Sequence, residues 1–356
     1  MKKKFSVLVN KKIKKFNKKV EIPSDKSCSI RALLFATQCI GISKLKILES
    51  DDVLSCINAL RSLQVKIVKH KKIYKVYGNG LGSFRANKKI KIFVGNSGTT
   101  ARLLTGLLAT HPGKFYLYAD QSMNKRDMSR VFKPLEKIGA FFYPKNKKTL
   151  PITIEGTTMP LAQDHIESLG SAQVKSSLLA SFLDCPGIST LKEQIPSRDH
   201  TEILLKKIGA NIKIKKLKKG NLISLKGQKN LHAFNYSSGN DPSSSAFLIV
   251  LALLTPGSKL TLPRVICNDT RIGFIQILKK MNANIKIKNQ KRDPNSGELL
   301  GTIVASSSQL KPISVSNNIP SFIDELPLLF LCSSFAKGTS KFFNCGELVY
   351  KESNRL

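Results

Sequence analysis

The chain has 356 residues, with 59 Lys and Arg against 23 Asp and Glu, a formal net charge of +36. At 41% hydrophobic it carries enough apolar material for packed cores, which excludes a disordered chain, and its length favours two domains. Its best apolar run, 246–254, ends at Thr255-Pro256-Gly257 and falls short of the ~18 residues of a membrane span.

Met1-Lys2-Lys3-Lys4 and the short run 5–9 imitate a secretion signal, but the apolar part is below the ~7–15 residues such a signal needs. A cytoplasmic protein is expected. The seven cysteines are scattered without a C-x-x-C pair, so neither zinc nor a disulfide framework is expected, and they read as small apolar residues. Lysines recur along the whole chain among Ile and Asn, without Trp. That distribution reads as compositional drift, not as the basic stripe of a nucleic-acid binder. An anionic small-molecule substrate is compatible with the field.

In chain order, Pro23-Ser24-Asp25-Lys26-Ser27-Cys28-Ser29-Ile30-Arg31 delivers Lys26 by a turn to the mouth of a helix over 27–39. Ser27 and Arg31, four apart, share one face of it, and ammonium, hydroxyl, guanidinium and helix dipole together suit a phosphate or carboxylate. A strand over 44–48 follows. Gly95-Asn96-Ser97-Gly98-Thr99-Thr100-Ala101-Arg102 opens a helix over 99–110 with glycines that let backbone N–H groups approach an anion, although P-loop spacing is absent. Ser171-Ala172-Gln173 opens a helix over 172–183 and offers a hydroxyl and an amide. Strands over 188–191 and 259–262, and helices over 244–254 and 325–335, complete the alternation; Asp324-Glu325 precedes the last helix. No metal-ligand spacing of the histidines and no Ser/His/Asp order stands out, so no metal or cofactor is expected.

A repeat overlies these elements. Segments 51–67, 125–141, 197–212 and 269–285 share a polar start, an amphipathic helix, a tight turn and a short strand. Gln64, Gly139, Gly209 and Asn282 stand at the turns, where a left-handed residue ends a helix. Strand–helix–strand–helix–strand units predict an α/β protein. Arg126, Arg198 and Arg271 open three repeat helices, with Arg355 where another copy starts, and this set reads as converging anion binders. Because the last copy stops before its helix, the sequence reads as truncated at its C-terminus.

Taken together and in order from about residue 20 to 356, these motifs resemble the 3-phosphoshikimate 1-carboxyvinyltransferase (EPSP synthase) family. The resemblance rests on Pro23-Ser24-Asp25-Lys26-Ser27 with Arg31, Gly95-Asn96-Ser97-Gly98-Thr99, Lys125-Arg126-Asp127-Met128 and Ser171-Ala172-Gln173-Val174-Lys175-Ser176. It extends through Ser197-Arg198-Asp199-His200-Thr201-Glu202, Asp241-Pro242-Ser243-Ser244, Ile323-Asp324-Glu325-Leu326-Pro327 and Lys351-Glu352-Ser353-Asn354-Arg355-Leu356. The segments around Gln173 and Arg198 resemble the bacterial class II branch.

The resemblance implies a two-domain enolpyruvyl transferase fold of repeated βαβαββ units. One domain would span 20–240, and the second, 1–19 plus 241–356, would lack its last part. It implies transfer of the carboxyvinyl group of phosphoenolpyruvate to the 5-hydroxyl of shikimate 3-phosphate with release of phosphate, in a monomer without cofactor. By motif position, Lys26, Ser27, Arg31, Ser171, Ala172, Gln173, Arg198, Asp324 and Lys351 would bind shikimate 3-phosphate. Lys26, Gly98, Arg126, Gln173 and Arg355 would bind phosphoenolpyruvate. Asp324, Glu352 and Lys26 would be catalytic, Asp324 taking the hydroxyl proton and Glu352 donating one. Asn354 stands where the family commonly has Asp. The family continues past this point with another Arg and a Lys, so weak or no activity is expected of these 356 residues alone. Glyphosate, which occupies the phosphoenolpyruvate site, is expected to inhibit the complete enzyme because Gly98 leaves room that an alanine would fill. The alternatives are a non-functional remnant of such an enzyme, or a Lys-rich polyanion or nucleic-acid binder with steep salt dependence. The related UDP-N-acetylglucosamine carboxyvinyltransferase is disfavoured by Ser24-Asp25-Lys26-Ser27.

Overall fold

The computed structural model describes residues 6, 8, 10–84, 86 and 88–350. Its elements in chain order begin with β1 (Asn17–Lys19), α1 (Lys26–Thr37), β2 (Cys39–Lys46), α2 (Asp51–Ser62), β3 (Ile67–His70) and β4 (Ile73–Asn79). A second unit follows: β5 (Ile90–Phe93), α3 (Gly98–Leu108), β6 (Gly113–Tyr118), α4 (Gln121–Asn124), α5 (Ser129–Ile138), β7 (Phe141–Tyr143) and β8 (Ile152–Gly156). A third comprises β9 (Asp164–Glu167), α6 (Ala172–Phe182), β10 (Ile188–Glu193), α7 (His200–Lys207), β11 (Asn211–Lys216) and β12 (Asn221–Lys226), with β13 (Leu231–His232) and β14 (Asn235–Ser237) behind it. The remainder holds α8 (Pro242–Leu254), β15 (Lys259–Ile266), α9 (Gly273–Lys280), β16 (Asn284–Arg292), β17 (Leu299–Ser306), β18 (Ser314–Val315), α10 (Leu326–Ser334) and β19 (Lys341–Phe342).

The second and third units each close their own mixed sheet, in the orders β5-β6-β8-β7 and β11-β12-β10-β9, and the remainder builds β1-β15-β17-β16 with β1 taken from the N-terminal segment. The chain enters α1 without a preceding strand of the same sheet. That place beside β2 is filled in parallel by β13 and β14, while β1 pairs in parallel with β15. Gly139, Gly209 and Asn282 behave as their types allow, with φ of 115°, 96° and 70°, and Gln64 takes the same left-handed turn, φ 62°, although its type does not favour it.

Buried apolar side chains form two clusters. One gathers residues from Cys28 to Tyr236 and is completed by Ile266 and Leu300; the other gathers Ile22 with residues from Ala246 to Leu348. In the first, α1, α3 and α6 lie almost wholly inside, because their sequences are mostly apolar or small, with Arg31 and Lys175 as buried charged exceptions. Close approach of α3 and α6 depends on Gly106, whose position a Cβ would bring to 2.1 Å from the Ser177 carbonyl oxygen. Gly106→Ala must therefore push two helix backbones apart. A loss of about 1–3 kcal/mol is expected, read as a lower urea midpoint at unchanged slope.

The main chain crosses between the two cores twice, side by side. The Asp25 N–H donates to the Gly239 carbonyl at 2.8 Å, and the Asp241 N–H to the Pro23 carbonyl at 3.0 Å. Each crossing ends in a helix N-cap. Asp25 accepts the Cys28 N–H at 2.7 Å, and Asp241 accepts the Ser243 N–H at 2.9 Å. Both carboxylates also meet Arg271, at 3.6 and 3.0 Å.

Candidate active site

Helices α1, α3 and α6 bring three of the motifs together. Arg31 is 2% exposed and uses all three of its nitrogens. Nε donates to Thr201 Oγ1 at 2.8 Å, Nη2 to Ser176 Oγ at 3.0 Å, and Nη1 to the Ser27 hydroxyl and its carbonyl. Every one of these acceptors is neutral. Burial lowers the Arg31 pKa, yet a guanidinium keeps its proton, so a positive charge stands here with Asp25 and Glu202 acting on it only from beyond ion-pair distance among the described residues. Such a charge attracts an anion. Lys26, at the mouth of α1 and half exposed, pairs with Asp52 at 2.7 Å.

Gly98 begins α3 beneath a cluster of cations. A Cβ there would lie 2.8 Å from Arg102 Nη1, 3.2 Å from Arg126 Nη1 and 3.8 Å from Gln173 Oε1. Arg102 donates to Gln173 Oε1 at 2.6 Å, and Gln173 Nε2 donates to Thr99 Oγ1 at 3.3 Å. Arg126 donates to Asn96 Oδ1 at 3.0 Å. The room at Gly98 is thus bounded by guanidinium tips. Ser171 caps α6 by accepting the Val174 N–H, and Ala172 is that helix's first residue.

From the other core, Asp324 reaches across the seam and accepts from Arg198 Nη2 at 2.6 Å. Arg130 and Glu347 span the same seam at 3.3 Å. Lys351, Glu352 and Arg355 lie outside the described residues.

Two expectations need correction. Arg126, Arg198 and Arg271 do not sit in the first turns of their repeat helices. Those helices begin at Ser129, His200 and Gly273, so each arginine occupies the loop before. In the first case Asp127 accepts the Ser129 N–H at 2.7 Å and fixes the later start. Arg271, moreover, is no anion binder. Its guanidinium is 6% exposed and faces Asp25, Asp241 and Glu325, the last at 3.3 Å. Burial would lower its pKa, but Glu325, Asp25 and Asp241 outweigh burial and raise it. Its charge is already spent on carboxylates.

The sequence reading also passed over residues that the fold assembles. Cys28, His200 and Glu298 bring potential metal-ligating atoms within 4.8 Å of one another. The chemistry of this set is that of a hydrogen-bonded core. His200 Nδ1 and Glu298 Oε1 are 2.7 Å apart, and burial, with Asp25 and Glu298 nearby, pushes the Cys28 thiol well up, away from a ligating thiolate. Arg102, Ser176 and Thr201 received no role, though Arg102 stands four residues after Gly98 and therefore on the same face of α3.

Comparison with known proteins bears directly on this arrangement. Residues 10–356 match the family model for EPSP synthase (3-phosphoshikimate 1-carboxyvinyltransferase). The chain belongs to the EPSP synthase family. A 3-phosphoshikimate 1-carboxyvinyltransferase of Oenococcus oeni is 40% identical over 98% of this chain and 78% of its own length. One of Zymomonas mobilis is 37% identical over 98% of this chain and 77% of its own length. The solved EPSP synthase of Acinetobacter baumannii superposes with a TM-score of 0.83 at 34% identity, covering 96% of this chain and 76% of that one. The α/β architecture of this EPSP synthase family member is therefore that of solved relatives.

Proposed function

We propose that the cation-lined seam between α1, α3, α6 and Asp324 is where this enolpyruvyl transferase holds shikimate 3-phosphate and phosphoenolpyruvate. The reaction moves the carboxyvinyl group of phosphoenolpyruvate to the 5-hydroxyl of shikimate 3-phosphate and releases phosphate. Both substrates are polyanions, so fixed positive charge in a partly desolvated site is a physical requirement. The observation that carries the reading is the state of Arg31: buried, satisfied only by neutral acceptors, and next to Ser27 at the helix mouth.

In this reading Lys26, Ser27, Arg31, Ser171, Ala172, Gln173 and Arg198 take shikimate 3-phosphate, with Lys351 beyond them. Gly98, Arg126, Gln173, Lys26 and Arg355 take phosphoenolpyruvate. The Asp324 carboxylate receives the proton of the attacking hydroxyl, and Glu352 supplies one to the enol carbon. The protonated substrate carbon turns its neighbour electrophilic, the hydroxyl oxygen bonds to it, and the resulting tetrahedral intermediate expels phosphate as the new methyl group returns one proton to the carboxylate that supplied it, which restores the vinyl double bond. A substrate phosphate arriving at Arg198 would compete for the guanidinium that Asp324 holds, freeing that carboxylate for the hydroxyl. We also take residues 20–240 as one domain and 1–19 with 241–356 as the other, working in a cytoplasmic monomer. No helix of the described residues is long and apolar enough to cross a membrane.

Titration calorimetry tests the reading. Shikimate 3-phosphate should bind with a stoichiometry of one, and phosphoenolpyruvate or glyphosate should bind more tightly in its presence. Binding of polyanions without preference, with a steep salt slope, would overturn it.

A cheaper check uses Gly98→Ala. The added methyl must displace the Arg102 and Arg126 tips by a few tenths of an ångström. Glyphosate and phosphoenolpyruvate should each bind several-fold more weakly, with shikimate 3-phosphate little changed. Equal loss for both substrates would contradict the assignment of Gly98.

A further inference from the structure

Lys175 is one of the largest side chains fully removed from solvent, although it lies on α6 within the same segment as Ser171 and Gln173. Its ammonium is 2.9 Å from Glu193 Oε1 and 2.8 Å from Glu202 Oε1, and it donates to the Ser197 carbonyl at 3.3 Å. These partners bracket one stretch of chain. Glu193 ends β10, Ser197 lies in the loop after it, and Glu202 is in the first turn of α7. Glu193 Oε1 also accepts the Ser197 N–H at 2.8 Å and its hydroxyl at 2.5 Å, so both ends of the Ser197 backbone unit are fixed from one cluster. Arg198 follows directly. Thr201, three residues further, is the acceptor for Arg31 Nε.

We propose that Lys175 is a positioning residue for shikimate 3-phosphate, setting from within the core the loop that aims Arg198 and the helical turn that holds Arg31. This rests on the reading that Arg198 and Arg31 bind that substrate. A buried lysine between two carboxylates is a poor device for stability alone, since an apolar trio of similar volume generally does as well or better. It is a good device for geometry: an ammonium directs three hydrogen bonds, and here they reach the end of a strand, a loop and a helix start. The cluster is not fully satisfied, as Glu202 Oε2 has no hydrogen-bond partner among the described residues. Burial raises the Glu202 carboxyl even against the attraction of Lys175.

The test compares the unsubstituted chain with Lys175→Met, with Lys175→Met/Glu193→Gln/Glu202→Gln, and with each of these combined with Arg198→Ala. Shikimate 3-phosphate affinity is read by calorimetry, phosphoenolpyruvate affinity likewise, and folding by urea denaturation. We expect Lys175→Met to weaken shikimate 3-phosphate binding at least tenfold. If the lone substitution unfolds the chain, the neutralised triple variant, which leaves no buried carboxylate unpaired, should fold and show the same weakening. In the Arg198→Ala background the loss should shrink by at least threefold, because only the Arg31 turn is then left for Lys175 to position. Unchanged affinity in a folded variant, full additivity with Arg198→Ala, or failure of the triple variant to fold while Arg198→Ala folds would each overturn the proposal. Absence of shikimate 3-phosphate binding by the unsubstituted chain would instead remove the functional reading beneath it, and the proposal with it.

Discussion

Replacing Arg271 by methionine should cost about 3–5 kcal/mol of folding stability, because it strands carboxylates that have no other ion-pair partner among the described residues. Asp25, Asp241 and Glu325 are all within 3.6 Å of this one guanidinium, and Asp25 and Glu325 are each 1% exposed. The urea midpoint reports the loss, and restoring about half of it with Asp241→Asn on the same background would identify stranded charge, not lost packing, as the cause. Acid should reach the same cluster. Burial acts to raise the Asp25 carboxyl, but Arg271, His200 and the Cys28 N–H outweigh it and hold the group far below the usual carboxylate range. A carboxyl lowered by folding contributes stability that is present above its unfolded value near 3.9 and lost as pH falls toward the folded value. Stability should therefore decline below about pH 5, and the decline should be shallower in Asp25→Asn. Asp241, raised by burial and by the charge of Asp25, works in the opposite sense. The Asp25→Asn comparison isolates the contribution of Asp25. An unchanged slope would show that Asp25 is not coupled to Arg271.

The second large effect concerns chemistry. Asp324→Asn should lower turnover by about 10²–10⁴-fold if this carboxylate receives the hydroxyl proton. The amide oxygen still accepts from Arg198, so shikimate 3-phosphate affinity should fall by less than tenfold. Phosphate release and calorimetry on the same preparation separate the two. Loss of binding equal to loss of turnover would make Asp324 a binding group only.

Much of the helical layout was legible because local chemistry sets it. Asp25, Ser97, Ser171 and Asp241 are N-caps whose side chains accept from the turn that follows, and the helices start where those residues stand. Gly139, Gly209 and Asn282 marked left-handed turns for a similarly local reason, whereas Gln64 was placed only by the repeat. What distance in sequence conceals was not legible. Arg271 read as an open anion binder because its carboxylates come from α1, α8 and the approach to α10. Lys175 stood in the Ser171–Ser176 motif without a role because Glu193 and Glu202 meet it only once β10 and α7 are folded. The strands that complete the first sheet, β13 and β14, are two and three residues long, too short for alternation to announce them. Ser27 and Arg31, four apart on one helix, were readable. Ser176 and Thr201, which complete the Arg31 grip, were not.

The paired crossings at Pro23–Asp25 and Gly239–Asp241 also limit how the two halves can move. Two neighbouring chain segments, bonded to each other and pinned by one guanidinium, act as adjacent pins on a door. They leave swinging about a line through both as the soft motion and resist sliding and twisting. Arg198 and Asp324, on opposite leaves, meet at 2.6 Å in this arrangement, so a change of that one angle would part them.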